Sequence, residues 1–81
     1  MPQKLIAKSG LGKQLKNLRL EAGFGVSELA KRLQLSGCDV TRECLVKIEA
    51  ETHNVSMEQL RALKEAFHVS YDKIFEFLEE E

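Results

Sequence analysis

The middle of the chain contains the stretch that decides the fold, Val40-Thr41-Arg42-Glu43-Cys44-Leu45-Val46-Lys47-Ile48-Glu49. Thr41 is a helix-start residue, because its hydroxyl can accept a hydrogen bond from a backbone N–H of the first turn. Leu45 and Ile48 are three residues apart, so they can face a core together. The other side chains then fall on the opposite side, which predicts a short helix with one buried and one polar side.

The polar side of this helix carries four residues that could recognise a ligand. Arg42, Glu43, Val46 and Lys47 lie on it. Arg and Lys can donate to guanine, Glu can accept from cytosine, and an apolar group such as Val can contact the thymine methyl. The pattern suits a helix that reads base edges in a DNA major groove, although a solvated helix surface is the simpler interpretation of these residues alone.

The composition is that of a small globular chain. Its 81 residues are 43% hydrophobic and 31% charged, which corresponds to one domain with a modest core. No apolar run approaches the roughly 18 residues that a membrane span needs. The segment MPQKLIAKSG lacks the apolar region of a secretory signal. We therefore expect a cytoplasmic protein with no membrane partner.

The cysteines form neither a disulfide framework nor a metal site by their number and spacing. A zinc site needs about four ligands, and beside Cys38 and Cys44 the chain has only His53 and His68. We expect two reduced, unpaired thiols, no metal and no cofactor. An oxidation-gated turn between the two cysteines is the weaker alternative.

Charge is distributed unevenly along the chain. The net charge is −1, but residues 1–50 hold nine Lys and Arg against five Asp and Glu, a balance of +4. Residues 51–81 hold three cations against eight carboxylates, a balance of −5. A basic half can meet phosphates while an acidic half faces away, although such asymmetry is also common in small domains without this role.

Apolar periodicity and capping signals predict the first three helices. Helix 1 covers about 12–22 and ends at Gly23, with a core face of Leu11, Leu15, Leu18 and Ala22. Helix 2 starts after Gly25 or Ser27, runs to about 34 or 35, and buries Leu29, Ala30 and Leu33. A turn over 36–39 then leads to helix 3, at about 41–50.

Two further helices complete an all-α domain over residues 11–81, preceded by a flexible arm over 1–10. Lys4 and Lys8 in this arm could touch phosphate, although a solvated tail is the simpler expectation. Ser56 and Gln59 form a capping box before helix 4. Helix 4 is lined by Leu60, Leu63, Ala66 and Phe67. Helix 5 follows Ser70, with Tyr71, Ile74, Phe75 and Leu78 on its core face and Phe77 partly off that face.

Five short segments have the order found in a known family. They are Leu18-Arg19…Gly23, Leu29-Ala30, Val40-Thr41-Arg42…Ile48-Glu49, Val55-Ser56…Leu60…Phe67 and Val69-Ser70…Ile74-Phe75. In this order they resemble the Cro and phage-repressor type helix-turn-helix proteins, the XRE family, over about residues 11–76. The resemblance implies a compact, five-helix, lambda-repressor-like domain that binds double-stranded DNA.

The turn between helices 2 and 3 departs from the common form of this family. It is about five residues longer, through Leu35-Ser36-Gly37-Cys38-Asp39. A subset of bacterial members is similar in carrying an extended turn here. The longer turn bears on the angle between helices 2 and 3.

The resemblance implies a role for each matching position. Base reading falls to Arg42, Glu43 and Lys47, and Thr41 and Cys44 match positions near phosphate. Val46 is a further candidate base contact, and the further candidate phosphate contacts are Lys13, Lys16, Thr52 and Asn54. Arg19 and Glu49 match a largely buried structural salt bridge, whose alternative is two solvated surface charges. Cys44 is here interpreted as a small polar substitute and not as a redox switch.

Three departures from the family pattern suggest a weaker non-specific grip on DNA. Val26 stands where the family often has a phosphate-binding Gln, and Val cannot make that bond. Glu51 occupies a position where Gly is common. The loop Thr52-His53-Asn54 replaces one that is often more basic.

The leading functional expectation is a sequence-specific DNA-binding transcriptional regulator. We expect a DNA-binding domain of this size to bind a pseudo-palindromic DNA site as a dimer. Phe75, Phe77 and Leu78 form the candidate dimer surface, with ordinary packing onto helix 4 as the alternative.

The alternative function is an antitoxin or another helical module whose main partner is a protein. We do not expect an enzyme, because the sequence contains no nucleophile with a base, no Gly-rich phosphate loop and no metal constellation.

Overall fold

The computed structural model describes residues 10–79, which form five α-helices and a short 3-10 helix. The elements are α1 Leu11–Glu21, α2 Val26–Leu35, α3 Arg42–Glu49, α4 Met57–Phe67, α5 Tyr71–Phe75 and the 3-10 helix Glu76–Glu79. No strand occurs among these residues, so the prediction of an all-α domain with five helices is confirmed. The predicted arm with Lys4 and Lys8 lies outside the described residues, apart from Gly10.

Hydroxyl side chains begin three of the helices, as their sequence positions predict. Thr41, Ser56 and Ser70 each accept a hydrogen bond at 3.1 Å from the backbone N–H three residues ahead. Ser56 N–H also donates to Gln59 Oε1 at 2.9 Å, which completes the predicted capping box. Gly25, and not Ser27, precedes α2, and its N–H donates to Glu28 Oε1 at 2.8 Å.

A residue with positive φ follows or ends each of the four longer helices. The residues are Gly23, Gly37, Glu51 and His68, with φ of 84°, 95°, 65° and 58°. In each case the next residue's N–H returns to a carbonyl five residues back, as Phe24 N–H does to Arg19 O at 3.1 Å. This capping motif satisfies terminal carbonyls, and it normally selects glycine. Glu51 and His68 are therefore exceptions.

One apolar core joins all five α-helices. Its largest members with under 2% exposure are Leu15, Leu29, Leu33, Val40, Leu45, Val55, Leu60, Leu63 and Ile74. Helices α1 and α2 both pack on α3, α2 also packs on α4, and α5 packs on α1. The short helix α3 is thus held between two longer helices, with its inner side in the core. No helix within residues 10–79 combines the length and apolar character that a membrane crossing requires.

Two predicted core faces differ from the structure. Ala22 is exposed, because α1 ends at Glu21 and Ala22 is its C-cap. In the last helix, Tyr71 and Leu78 are exposed, whereas Phe77 is half-buried and packs against the core. The α-helix ends at Phe75, and a 3-10 helix has three residues per turn, so Phe77 joins Ile74 on the inner side.

Candidate nucleic-acid interface

Helix α3 has one buried side and one exposed side. Leu45 and Ile48 are 1% and 3% exposed, and they fix the helix to the core. The outward residues, all exposed, are Arg42, Glu43, Val46 and Lys47. The Val46 side chain is 42% exposed, so an apolar group lies in the open between charged side chains. This side therefore offers donors, an acceptor and a methyl-sized apolar contact, which are the groups that distinguish base pairs in a major groove.

Thr41 lies at the entrance of α3. Its Oγ1 accepts from Cys44 N–H, so the hydroxyl hydrogen remains available to an acceptor such as a phosphate oxygen. Cys44 itself is half-buried, and its Sγ is 3.9 Å from Gln59 Nε2, at the start of α4. Thr41 is thus exposed and able to donate outward, whereas the Cys44 side chain faces α4.

The extended turn between α2 and α3 is held by several hydrogen bonds. Cys38 N–H donates to Leu33 O at 2.9 Å, and Val40 N–H donates to Cys38 O at 2.9 Å. Gln34 Nε2 then donates to Val40 O at 2.7 Å, across six residues. Cys38 and Val40 are both buried, so the turn is anchored in the core at two points before α3 begins.

Arg19 fixes the end of α3 to α1. Its Nε lies 2.7 Å from Glu49 Oε2 and its Nη2 lies 3.1 Å from Glu49 Oε1, which is a bidentate pair. The two side chains are only 7% and 10% exposed. Arg19 Nη1 also donates to Phe24 O at 2.8 Å, so one guanidinium joins α1, α3 and the loop before α2. The ion pair proposed for these positions is therefore present.

Glu51 joins the same two helices by a different bond. Its Oε2 accepts from Gly10 N–H at 2.8 Å and from Lys13 N–H at 3.2 Å, so it caps the start of α1. A carboxylate is favoured there by the helix dipole and by unsatisfied N–H groups. A Cβ at Gly12 would overlap the Ile48 carbonyl oxygen, so α1 and α3 approach too closely for any side chain there.

Four of the predicted phosphate-contacting residues lie on α1 or in the loop after α3. Lys13 and Lys16 are exposed on α1, and Lys13 lies beside the end of α3 through its bond to Glu51. Thr52 and Asn54 are exposed in the loop after α3. Thr52 Oγ1 already donates to Lys47 O at 3.2 Å, which leaves it as an acceptor only.

The residue at the start of α2 is half-buried. Val26 packs against the core, so its side chain contributes to folding at a position where the resemblance implies a phosphate contact.

The predicted dimer surface is mostly occupied within the chain. Phe75 and Phe77 are half-buried against the core, and α5 packs on α1, whereas the alternative considered for this surface was helix 4. Leu78 is 46% exposed. Tyr71 is 39% exposed and has Lys64 Nζ 5.1 Å from its ring centre.

The two cysteines are unpaired and differ in environment. Cys38 is buried and Cys44 is half-buried. Burial raises the pKa of the Cys38 thiol, and the carboxylates of Glu58 and Asp39 raise it further. Within residues 10–79, no cluster of three or more His, Cys, Asp or Glu could hold a metal ion.

Comparison with family models, with curated proteins and with solved structures gives no match for this chain.

Two structural residues near α3 have no structural role predicted from the sequence. Gln34 and Glu51 both make side-chain bonds that hold α3 or the segments next to it. Of the two, Glu51 has a detectable sequence signal, because a carboxylate is uncommon at the usual position of a helix-ending glycine.

Proposed function

We propose that this chain is a sequence-specific DNA-binding transcriptional regulator with a lambda-repressor-like helix-turn-helix domain. In this proposal α2 and α3 are the two helices of the motif, and α3 enters the major groove. Arg42, Glu43, Val46 and Lys47 read base edges. Lys13, Lys16 and Thr41 bind the phosphates on either side.

The observation that carries the proposal is the two-sided character of α3. All four outward residues of this helix are exposed, while both inward ones are buried to 3% or less. The Arg19–Glu49 pair and the Glu51 cap both hold the end of α3 against α1. Rigid support of this kind is what a reading helix requires, because base contacts depend on position.

The size of the chain supports a dimeric complex. The domain measures 36 × 30 × 20 Å. One copy therefore spans about one turn of DNA, and half-sites of a two-fold operator lie about 34 Å apart. Of the three residues expected at a dimer interface, only Leu78 is exposed, so the proposed contact is Leu78 together with Tyr71.

The test begins with selection of binding sites from a randomised duplex library. We expect a preferred sequence with two-fold symmetry. Affinity for that duplex is then measured against salt, and log K should fall linearly with log salt, with a slope of about −0.9 per neutralised phosphate. Flat binding between low and moderate salt, or a selection without consensus, would show that the proposal is wrong.

A second candidate function is a protein-binding module of the antitoxin kind. It is favoured by the exposed carboxylates of Glu58, Glu65, Asp72 and Glu76 on α4 and the segment that follows it. Val26 favours it as well, because its side chain packs against the core and cannot bind phosphate. This alternative would be supported if the chain selected no DNA sequence and formed a stoichiometric complex with a basic protein in the cells that naturally contain it.

A further inference from the structure

We propose that Gln34 is the positioning residue that gives α3 its sequence discrimination, by fixing the start of this helix across the extended turn. The inference rests on the proposed function of α3 as a DNA-reading helix. It concerns a residue that touches no base. Gln34 acts through the Val40 carbonyl, which precedes the first turn of α3.

The geometry of the turn isolates this bond. Six residues separate the end of α2 at Leu35 from the start of α3 at Arg42. The backbone bonds of the turn are local: Cys38 N–H returns to Leu33 O, and Gly37 N–H returns to Gln34 O. The bond from Gln34 Nε2 to Val40 O, at 2.7 Å, reaches from the last turn of α2 to the residue next to Thr41. It therefore ties the end of one helix directly to the beginning of the next.

Core packing alone does not set the direction of α3 at this end. Val40 is 1% exposed, but apolar burial has little directional preference. A short N–H···O bond is directional and holds the Val40 peptide plane in one orientation. That peptide leads into Thr41, whose hydroxyl caps α3, so a rotation at Val40 is passed on to the helix. The far end of α3 is already fixed by Arg19 and Glu49.

Arg42 and Glu43 begin the first turn of α3, so they are the base-reading residues closest to this anchor. A tilt of the helix about its fixed far end would displace them most. The Gln34 side chain belongs to an exposed residue, and its loss leaves the core intact. We therefore expect removal of the bond to lower sequence discrimination and to leave the fold in place.

The chain offers a matched control for this bond. Gln14 Nε2 donates to Lys73 O at 2.9 Å, which joins α1 to α5 through the same pair of chemical groups. The substitutions Gln34→Met and Gln14→Met each remove one amide-to-carbonyl bond and keep the length of the side chain. Only the first one affects the turn before α3.

The experiment measures the affinity of each protein for the selected duplex and for a scrambled duplex of equal length, at one salt concentration. The ratio of the two affinities is the readout, because a smaller folded fraction weakens both equally and leaves the ratio unchanged. We expect Gln34→Met to lower the ratio about tenfold, the effect of about 1.4 kcal/mol, and Gln14→Met to leave it as in the wild type. Exchange of the Leu45 amide hydrogen, measured without DNA, should be faster in Gln34→Met only.

A second variant protects the test against a folding defect. Gln34→Glu keeps the shape of the side chain but has no donor at neutral pH, and its added charge weakens both duplexes alike. It should lower the ratio as Gln34→Met does. If the wild type prefers the selected duplex and both Gln34 variants keep the wild-type ratio of affinities, the inference is overturned while the proposed function stands. A wild type without sequence preference overturns the proposed function and the inference with it.

Discussion

The Oε2 atom of Glu51 accepts a hydrogen bond from the Gly10 N–H at 2.8 Å, across 41 positions of the chain. Glu51 also follows the end of α3, with φ of 65°. One residue therefore terminates α3 and caps α1. The backbone conformation of Glu51 normally favours glycine, but glycine has no side chain that could cap α1. The cap is a physical reason for a carboxylate at a position whose backbone conformation favours glycine.

The cap and the backbone strain at Glu51 can be separated by two substitutions. Glu51→Ala removes the cap and keeps the strain, so it should lower the free energy of unfolding by about 1–2 kcal/mol, as for other helix caps. Glu51→Gly removes both, and relief of about 1 kcal/mol of left-handed strain should leave it more stable than Glu51→Ala. Urea unfolding measures both values.

His68→Gly is the control for this pair, because His68 has a φ of 58° at the end of α4. It should stabilise the chain by up to about 1 kcal/mol. If Glu51→Gly proved as stabilising as His68→Gly, the Glu51 carboxylate would have no capping value.

The Arg19–Glu49 pair should be essential to the fold. Either single substitution, Arg19→Met or Glu49→Leu, leaves one buried charge unpaired, and we expect a loss of about 3–5 kcal/mol in urea unfolding. The double substitution should lose less than either single one, since no buried charge remains. It still leaves the Phe24 carbonyl without its bond from Arg19.

The exposed pair of Arg61 and Glu65 is the control for this effect, with side chains 73% and 59% exposed. Arg61→Ala should cost about 0.5 kcal/mol or less. If Arg61→Ala and Arg19→Met lowered the free energy of unfolding equally, burial would not explain the effect of the Arg19–Glu49 pair.

Gly12 should tolerate no side chain. Gly12→Ala gains about 1 kcal/mol of helix propensity, but its Cβ would overlap the Ile48 carbonyl oxygen and lie 2.8 Å from the Glu49 carbonyl oxygen. Backbone atoms cannot give way as a flexible side chain does, so we expect a net loss of about 2–3 kcal/mol. Thermal unfolding followed by circular dichroism measures it. Gly25→Ser, where a Cβ meets only Glu28 Oε1 at 3.5 Å, should be neutral or slightly stabilising.

The two thiols should react at different rates. Burial and the carboxylates of Glu58 and Asp39 raise the pKa of Cys38, so less thiolate is present at neutral pH and the buried sulfur is also shielded. Iodoacetamide should modify the half-buried Cys44 first, and mass spectrometry of digested peptides would show the order. Faster modification of Cys38 in the folded chain would contradict the structure.

The raised pKa of Cys38 also predicts the sign of a pH effect. Below pH 9.0, the ordinary value for this thiol, both folded and unfolded chains keep the proton. Above it the unfolded chain loses its proton first, so the free energy of unfolding falls as pH rises. Cys38→Ala should show a smaller fall across pH 9.0 than the wild type, in unfolding measured at several pH values.

Much of the fold follows from local sequence signals. Thr41, Ser56 and Ser70 indicate helix starts because a capping side chain bonds to a backbone group three residues away. The buried side of α3 followed from the spacing of Leu45 and Ile48. Both kinds of information lie within one turn of a helix.

The features that were not predicted depend on longer distances or on small changes of helix period. The partners of Glu51 are 38 and 41 positions away, and no local pattern indicates them. Phe77 is more buried and Leu78 more exposed than the sequence predicts, because the α-helix changes to a 3-10 helix after Phe75. The spacing of two or three apolar residues does not indicate such a change. The Gln34 bond depends on how the extended turn folds back, so composition and periodicity contain no sign of it.

The two classes of DNA contact in the proposed function predict two different mutant phenotypes. Arg42→Ala removes an exposed donor from the outward side of α3, so it should lower affinity for the selected duplex by about 1–3 kcal/mol and relax preference at one base position. Lys13→Ala removes an exposed cation on α1, so it should weaken all duplexes alike and reduce the salt slope by about 1.

Arg61→Ala, with the same change of charge on α4, is the control and should alter neither the base preference nor the salt slope. Fluorescence anisotropy with the selected duplex and its single-base variants, at several salt concentrations, measures both. If Arg42→Ala and Lys13→Ala gave the same uniform loss, α3 would bind DNA without reading it.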